Sequence, residues 1–516
     1  MLSRLHTLGT SGLKVNQVDV EVDISRGLHS FSIVGLADKA VGEARDRINA
    51  AIKNSGFKPP VKGNRKVIVS LAPADIKKEG TNFDLAIALA YLLAAGDIKF
   101  NSTKKIFLGE LALNGELRPI KGALLLSKKA EEMGFDEIYL PTDNALEAAL
   151  IRGVKIFGCA NLRQIINHLS PSPVEKGGEV PVWLSPQPAT TIPEAETDAA
   201  MDFADVRGQS TAKRGLEIAA AGGHNVAMYG PPGTGKTMLA KAFIGVLPAL
   251  SYDEILEATG IHSVAGVLTE NLITRPPLRS PHHTSSYISI VGGGTWPKPG
   301  EITLAHRGVL FLDEFPEFEK RVIESLRQPL EDKVINISRS KGSTIFPANF
   351  ILIATMNPCP CGNRGLRTKE CLCSAHDIMR YQKKLSGPIV DRIDLWLEVP
   401  QIDPTKLSEK SKEEPSIKVR ERILSAREKQ LERFRTNDLK IKTNGEMGNR
   451  ELAKFAPLSE ICTKLLNDSA RRLDLSARSY HKIIRLARTI ADLADSANIK
   501  EDYLLEALQY RPKISM

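Results

Sequence analysis

The sequence predicts an α/β protein, a parallel sheet flanked by helices, with a mixed α+β domain before it and a helical segment after it. Three observations carry that prediction. The segment Gly230-Pro231-Pro232-Gly233-Thr234-Gly235-Lys236-Thr237 matches the phosphate-loop pattern GxxxxGK[ST] at every fixed position, and it lies between the apolar run 226–229 and a helical pattern at 238–244. Two more short apolar runs, 309–312 and 350–354, each end in polar residues, as buried parallel strands do when they deliver side chains at their carboxyl ends. Near the start, 18–24 alternates apolar and polar residues, the pattern of a half-buried strand.

At 516 residues the chain is too long for one hydrophobic core, and roughly two to four domains are expected. The first is placed at 1–170. Strands are predicted at 18–24, 31–34 and 66–71, helices near 39–54 and 83–95, and a hairpin from 106–113 to 116–120 around Asn114-Gly115. Residues 171–200 carry Pro171, Pro173, Gly177, Gly178, Pro186, Pro188 and Pro193 without periodicity and read as a linker. The core spans 201–400, with two insertions, one at about 262–301 and one at 334–346 with hairpin character around Lys341-Gly342. The stretch 401–516 is charged and helical.

The chemistry follows from the residue types. Backbone N–H groups of the glycine-rich turn would face inward around phosphates, and the helix start adds partial positive charge. Lys236 would reach the β- and γ-phosphates of ATP, and the Thr237 hydroxyl would ligate Mg²⁺. Asp313, at the end of 309–312, would hold the same ion, and Glu314 would polarise the attacking water. Asn357, after the third apolar run, would stand by the γ-phosphate. Arg392 suits action on a neighbouring subunit's γ-phosphate; the alternative is a surface ion pair with Asp391 or Asp394. Arg478 opens a long helical pattern and is expected to reach back over the nucleotide. Lys482, Arg485 and Arg488 follow it at near-helical spacing and read as a solvated basic face.

Of the six cysteines, Cys359, Cys361, Cys371 and Cys373 cluster. Such a group suits a tetrahedral Zn²⁺ site or reduced thiols in a loop, and the one-residue spacers are less typical of zinc ribbons than two-residue ones. Cys159 and Cys462 read as lone buried thiols. His282 and His283 fit metal, phosphate or loop-locking roles equally, and no chemistry is assigned to them. The net charge of +9 favours polyanionic partners. No apolar run approaches the ~20 residues needed to span a bilayer, and the start lacks a signal-peptide core, so a cytoplasmic protein without membrane contact is expected.

Taken in order, these segments resemble the AAA+ ATPases, in the magnesium-chelatase-like branch. The match narrows to the ComM/YifB family through Arg279-Ser-Pro-His282-His283, Lys298-Pro-Gly-Glu301-Ile-Thr-Leu-Ala-His306, Met356-Asn-Pro-Cys-Pro-Cys-Gly362 and Ser386-Gly-Pro-Ile-Val-Asp391-Arg392-Ile-Asp394-Leu395. The resemblance implies that Asn357 is sensor 1, Arg392 the arginine finger and Arg478 sensor 2, with the helices of 401–516 as lid. It implies a hexameric, DNA-dependent ATPase using ATP and Mg²⁺, a helicase or branch-migration motor on single-stranded or branched DNA in natural transformation and homologous recombination. Arg339 and Lys341, at a hairpin pointing into the ring's channel, would track DNA phosphates. The first domain resembles the Lon-protease domain. Asn82 stands about where the Lon serine belongs and Leu124 about where its lysine belongs, so peptidase activity is not expected. Two other readings compete: an ATP-dependent protein remodeller, and a magnesium-chelatase subunit.

Overall fold

The computed structural model describes residues 2–35, 39–61, 64–75, 78, 80–170, 183–192, 201–270, 272–294, 297–339, 342–366, 369–402 and 413–512. Lys341 lies outside them. The chain divides into two compact units: Met1–Pro193 with Tyr252–Ile273, and Glu194–Ser251 with Thr274–Met516.

The first unit is built on a seven-stranded mixed sheet. Its strands are β1 (Leu2–Ser11), β2 (Lys14–Arg26), β3 (Ser30–Val34), β4 (Arg65–Ala72), β5 (Lys105–Phe107), β6 (Glu137–Pro141) and β7 (Lys155–Cys159), in the order β3-β4-β2-β1-β5-β6-β7. The register pairs Leu5 with Val20 and Val22 with Val69, which puts these apolar side chains in one core. The helix Asp84–Ala95 packs into that core and is buried almost all round. Its first residue, Asp84, accepts two hydrogen bonds from Arg47, at 2.8 and 3.2 Å. Burial still pushes the Asp84 carboxyl up to about 6.

Three sequence readings change here. The run 106–113 is not one strand: it breaks after Phe107, and a two-residue ladder, Glu110–Leu111 with Leu117–Arg118, makes the hairpin instead. At Gly109 any Cβ would sit 2.2 Å from Leu117, so the chain bends where the backbone must approach that side chain. Part of the expected linker is docked: Thr190 donates to the Leu146 carbonyl at 2.6 Å, and Leu184 is buried in the unit's core. Finally, the helix Tyr252–Ala265, which follows the phosphate-loop helix in sequence, belongs to this first unit. Gly260 admits Leu125, and Ser263 Oγ accepts from the Gly122 N–H at 2.9 Å.

The second unit holds a five-stranded sheet: β8 (Val226–Tyr229), β9 (Leu278–Arg279), β10 (Val309–Leu312), β11 (Ile351–Met356) and β12 (Leu395–Glu398), ordered β9-β10-β11-β8-β12 and parallel throughout. All four residues of β10 and all six of β11 are buried, as a parallel sheet covered on both faces requires. A separate two-stranded ladder, Val334–Arg339 with Gly342–Pro347, forms the hairpin expected around 341.

Among the described residues, the C-terminal helices share a core with the sheet unit. Ile423, Phe434, Ile483 and Ala487 share one apolar cluster with Leu239 and Phe243 of the phosphate-loop helix and Val226 of β8. The expected solvated basic face also turns inward. Arg488 is 3% exposed and donates to Asp492 at 2.8 Å, and Lys482 donates to the Ile393 carbonyl at 2.9 Å with Asp394 at 3.4 Å. The physical reason is pairing: Arg488 has Asp492 beside it and Lys482 has Asp394. Asp492 also accepts from Asn444 at 2.7 Å and from Arg433 at 3.1 Å. Replacing Asp492 by Ala leaves two arginines without their counter-charge. We expect a loss of ~3 kcal/mol or more in urea unfolding of the full chain, and an unchanged midpoint would mean the network is effectively solvated.

Candidate functional site

The parallel sheet brings three loops to one edge. β8 leads into the phosphate loop, β10 into Asp313 and Glu314, and β11 into Asn357. The loop itself is fixed by glycines. A Cβ on Gly230 would lie 2.1 Å from the Val399 carbonyl oxygen, and Gly235 holds φ 91° as the helix Lys236–Val246 begins. Gln209 ties the loop to the end of the sheet, donating to the Thr234 carbonyl at 3.3 Å and to Pro400 at 2.7 Å. It gave no signal in the sequence because it belongs to no motif read there.

Lys236 folds back over the loop. Its Nζ donates to the Gly230 and Pro231 carbonyls at 2.6 and 2.7 Å, and Asn357 Oδ1 lies 3.4 Å away. Burial lowers its ammonium to about 8, against the opposing charges of Asp313 and Glu314. Thr237 Oγ1 donates to Asp313 at 3.1 Å. Lys236, Thr237, Asp313 and Asn357 are therefore together, and the donor set fits a nucleotide phosphate with Mg²⁺. The Thr237 hydroxyl and Asp313 carboxylate would hold the ion, and Lys236 would exchange carbonyls for phosphate oxygens.

Several contacts at this edge went unread in the sequence. Thr355, 1% exposed in β11, donates to Asp313, and the Glu314 N–H donates to Thr355 Oγ1 at 3.1 Å. Glu314 takes φ 52°, a left-handed conformation uncommon for glutamate, so its carboxylate is set by the backbone as well as by neighbours. His283 stands 3.6 Å from that carboxylate, and its ring lies tilted against that of His282 with centroids 4.2 Å apart. The Tyr381 hydroxyl meets the Asn357 backbone, and burial raises it to about 12. No residue pattern announces a hydroxyl partner on a neighbouring strand, which explains why Thr355 escaped.

Arg392 and Arg478 are elsewhere. Arg392 precedes β12, where its carbonyl accepts from Asn225, the residue before β8, at 3.4 Å. That is the opposite edge of the sheet. β8 is four residues long, so ~13 Å of strand separates the two edges. Arg478 does not reach over the phosphate loop as expected: both arginines hydrogen-bond one carboxylate, Glu331. The Arg392 alternative of pairing with Asp391 or Asp394 is likewise replaced by Glu331. The reason is the packing of the helix Ala477–Leu493, whose Lys482 is drawn to Asp394 at that amino edge. A cavity of about 500 Å³ opens there, lined by Lys333, Arg392, Arg478, Lys482 and Arg485 with fewer acids, among them Glu331 and Asp394. The Nε atoms of Arg392 and Arg485 are buried with no hydrogen-bond acceptor among the described residues.

Cys359, Cys361, Cys371 and Cys373 lie together beyond Asn357. Arg339 ends the first strand of the 334–347 hairpin. In the first unit the Asn82 amide donates to the Leu8 carbonyl at 2.7 Å and Leu124 is 1% exposed, so neither position carries a nucleophile or base. Among the described residues no helix is long and apolar enough to cross a membrane.

The chain is similar to known proteins along most of its length. Residues 202–407 match the family described as magnesium chelatase, subunit ChlI; 20–144 match subunit ChlI of Mg-chelatase; 413–511 match its C-terminal part. YifB of Salmonella typhimurium is 41% identical over 99% of this chain and 97% of its own length. The competence protein ComM of Haemophilus influenzae is 39% identical over 100% of this chain and 98% of its own. A shorter match, 28% identical over 28% of this chain and 27% of its own, is to Lon protease 2 of Bacillus subtilis.

The Lys236 ammonium yields a pH dependence. Only the charged form attracts phosphate, so the bound lysine is held protonated and its value rises on binding. Nucleotide affinity is expected to be full below about 8 and to fall as pH rises through that value, with a proton taken up per nucleotide above it. Lys236→Arg, charged at every pH tested, should flatten the profile whatever its absolute affinity. Titrations with a fluorescent ATP analogue from neutral to alkaline pH check this, and a flat wild-type profile rules it out.

Proposed function

We propose that this chain, which belongs to the YifB/ComM family of magnesium-chelatase-type AAA+ ATPases, is a ring-forming, DNA-stimulated ATP hydrolase. The family implies ATP hydrolysis with Mg²⁺. The finer reading is a branch-migration or helicase motor on single-stranded or branched DNA, assembled as a hexamer and serving recombination or transformation. One observation carries the assembly: the phosphate loop with Asp313 and Glu314 sits on one edge of a sheet, and Arg392 with Arg478 on the other. This separation supports a site shared between chains, which a single chain would not complete. Head-to-tail association would bring one protomer's cationic cavity to the next protomer's phosphates, and such heterologous contacts close into rings.

In that arrangement Lys236 neutralises the β- and γ-phosphates and Asn357 orients the terminal one. Glu314, its backbone pinned to Thr355, accepts hydrogen bonding from the attacking water. Arg392 and Arg478 leave Glu331 and stabilise charge developing on the phosphoryl oxygens. Thr237 and Asp313 would hold Mg²⁺, which would supply further neutralisation of the phosphates. The DNA part is supported by the net charge of +9, by the ComM relative's designation as a competence protein, and by the ladder Val334–Arg339 with Gly342–Pro347, whose first strand ends in Arg339. A chelatase subunit is the second reading, favoured by the match over 202–407.

Three experiments test this. Lys236→Ala should abolish nucleotide binding, while Glu314→Gln should bind and turn over ~10²-fold or more slowly. Neither Lys236→Ala nor Arg392→Ala should hydrolyse ATP alone, yet an equal mixture should recover about a quarter of wild-type activity, because that share of interfaces pairs two intact halves. No recovery would place both halves in one chain and end the shared-site reading. Single-stranded or forked DNA should raise wild-type turnover; a rate indifferent to DNA would remove the motor and leave the chelatase-type alternative.

A further inference from the structure

The segment after Asn357 places four sulfurs, of Cys359, Cys361, Cys371 and Cys373, within 4.8 Å of one another. Cys359 is 3.4 Å from Cys361 and 3.6 Å from Cys371, and Cys361 is 3.7 Å from Cys371. A disulfide needs ~2.05 Å, and all four are free thiols. A tetrahedral Zn²⁺ with Zn–S bonds of ~2.3 Å sets its sulfurs ~3.8 Å apart, close to what these positions show. Backbone N–H groups also point at the sulfurs, that of Asn363 at Cys361 over 3.5 Å and that of Arg364 at Cys359. Such donors orient and stabilise metal-bound thiolates. The set is all sulfur, which selects zinc over the hard cations that suit Thr237 and Asp313.

The cluster also touches the phosphate loop. Gly362 turns at φ 77°, donating its N–H to the Cys359 carbonyl at 3.0 Å. A Cβ there would lie 3.0 Å from Pro232 Cδ and 4.0 Å from Asn357 Cγ. The turn between the first two cysteines and the next residues thus lies against the loop that holds Lys236, and against the asparagine beside it. We propose that the four cysteines bind one structural Zn²⁺ and that this ion, through Gly362 and Pro232, fixes the phosphate loop and Asn357 in the geometry that receives nucleotide. The metal stands on sulfur geometry alone, whereas the coupling rests on the phosphate-loop reading above.

The test uses the full chain purified without added metal. One zinc per chain is expected, released by a thiol-modifying reagent, and Co²⁺ replacement should give the visible spectrum of a tetrahedral thiolate site. Cys371→Ser with Cys373→Ser should lose the ion. Gly362→Ala, which strains a left-handed position and crowds Pro232, should keep the ion yet bind a fluorescent ATP analogue roughly tenfold more weakly. A wild-type chain that binds the analogue but carries only trace zinc and takes up no Co²⁺ overturns the metal. Gly362→Ala with full zinc and wild-type nucleotide affinity overturns the coupling. A zinc-loaded wild type that binds no nucleotide would sink the phosphate-loop reading and the coupling together while upholding the metal.

Discussion

The site depends first on the hydrogen bonds that converge on Asp313. Its carboxylate accepts from Thr237 at the start of the phosphate-loop helix, from Thr355 in β11, and from the Glu314 N–H at 3.1 Å. One acid thus joins three segments that are distant in the chain. Buried strands β10 and β11 set its backbone, and the hydroxyls set its orientation. Such preorganisation counts because catalytic groups held in place need not reorganise when charge develops. The same bonds fix Glu314 indirectly, since Thr355 serves both residues.

The opposite edge follows a different rule. There Lys482 is buried and Lys333 and Arg485 are half-buried, and desolvation pulls all three below their ordinary values. Asp394 moves the other way: its desolvation is opposed by Lys482, His224, the Asn225 N–H and Arg485, which together hold it below the usual carboxylate range. An excess of positive charge in a cavity is costly unless an anion shares it. Within one chain Glu331 supplies part of that anion. The cavity is thus suited to receive a further negative group, while the phosphate-loop edge, with Asp313 and Glu314, is suited to present one bound by Lys236 and a cation.

How far the sequence revealed this varied with the kind of signal. The phosphate loop, Asp313 and Glu314 were legible because glycine spacing and a four-residue apolar run constrain local structure strongly. Asn357 was legible by strand succession. The rest was set by partners far away in the chain. Thr355 matters only because β11 lies beside β10. Lys482 and Arg488 looked solvated because helical spacing says nothing of Asp394 or of the network around Asp492, which the fold brings to them. The helix Tyr252–Ala265 gave no hint that it would pack with residues 120–150 of the first unit. Arg478 was placed over the nucleotide by analogy of position, and only packing of the last helices shows that it faces the amino edge.

The shared carboxylate explains why Arg478 is held without being locked. Glu331 is 46% exposed and Arg478 40%, so their ion pair is water-screened and worth about 0–1 kcal/mol. A terminal phosphate offers more acceptor oxygens and more charge, and its bonds to arginine are among the stronger charge-assisted ones. Under the proposed assembly, exchange of Glu331 for phosphate would therefore be favourable when a neighbour delivers one, and unneeded when none does. On that proposal, a lone chain would keep its arginines quiet at little energetic cost, and its bound nucleotide would lack the charges that stabilise the transition state. Under the proposed assembly, hydrolysis is then conditional on a second protomer, which is what a ring that must spend ATP only while engaged requires.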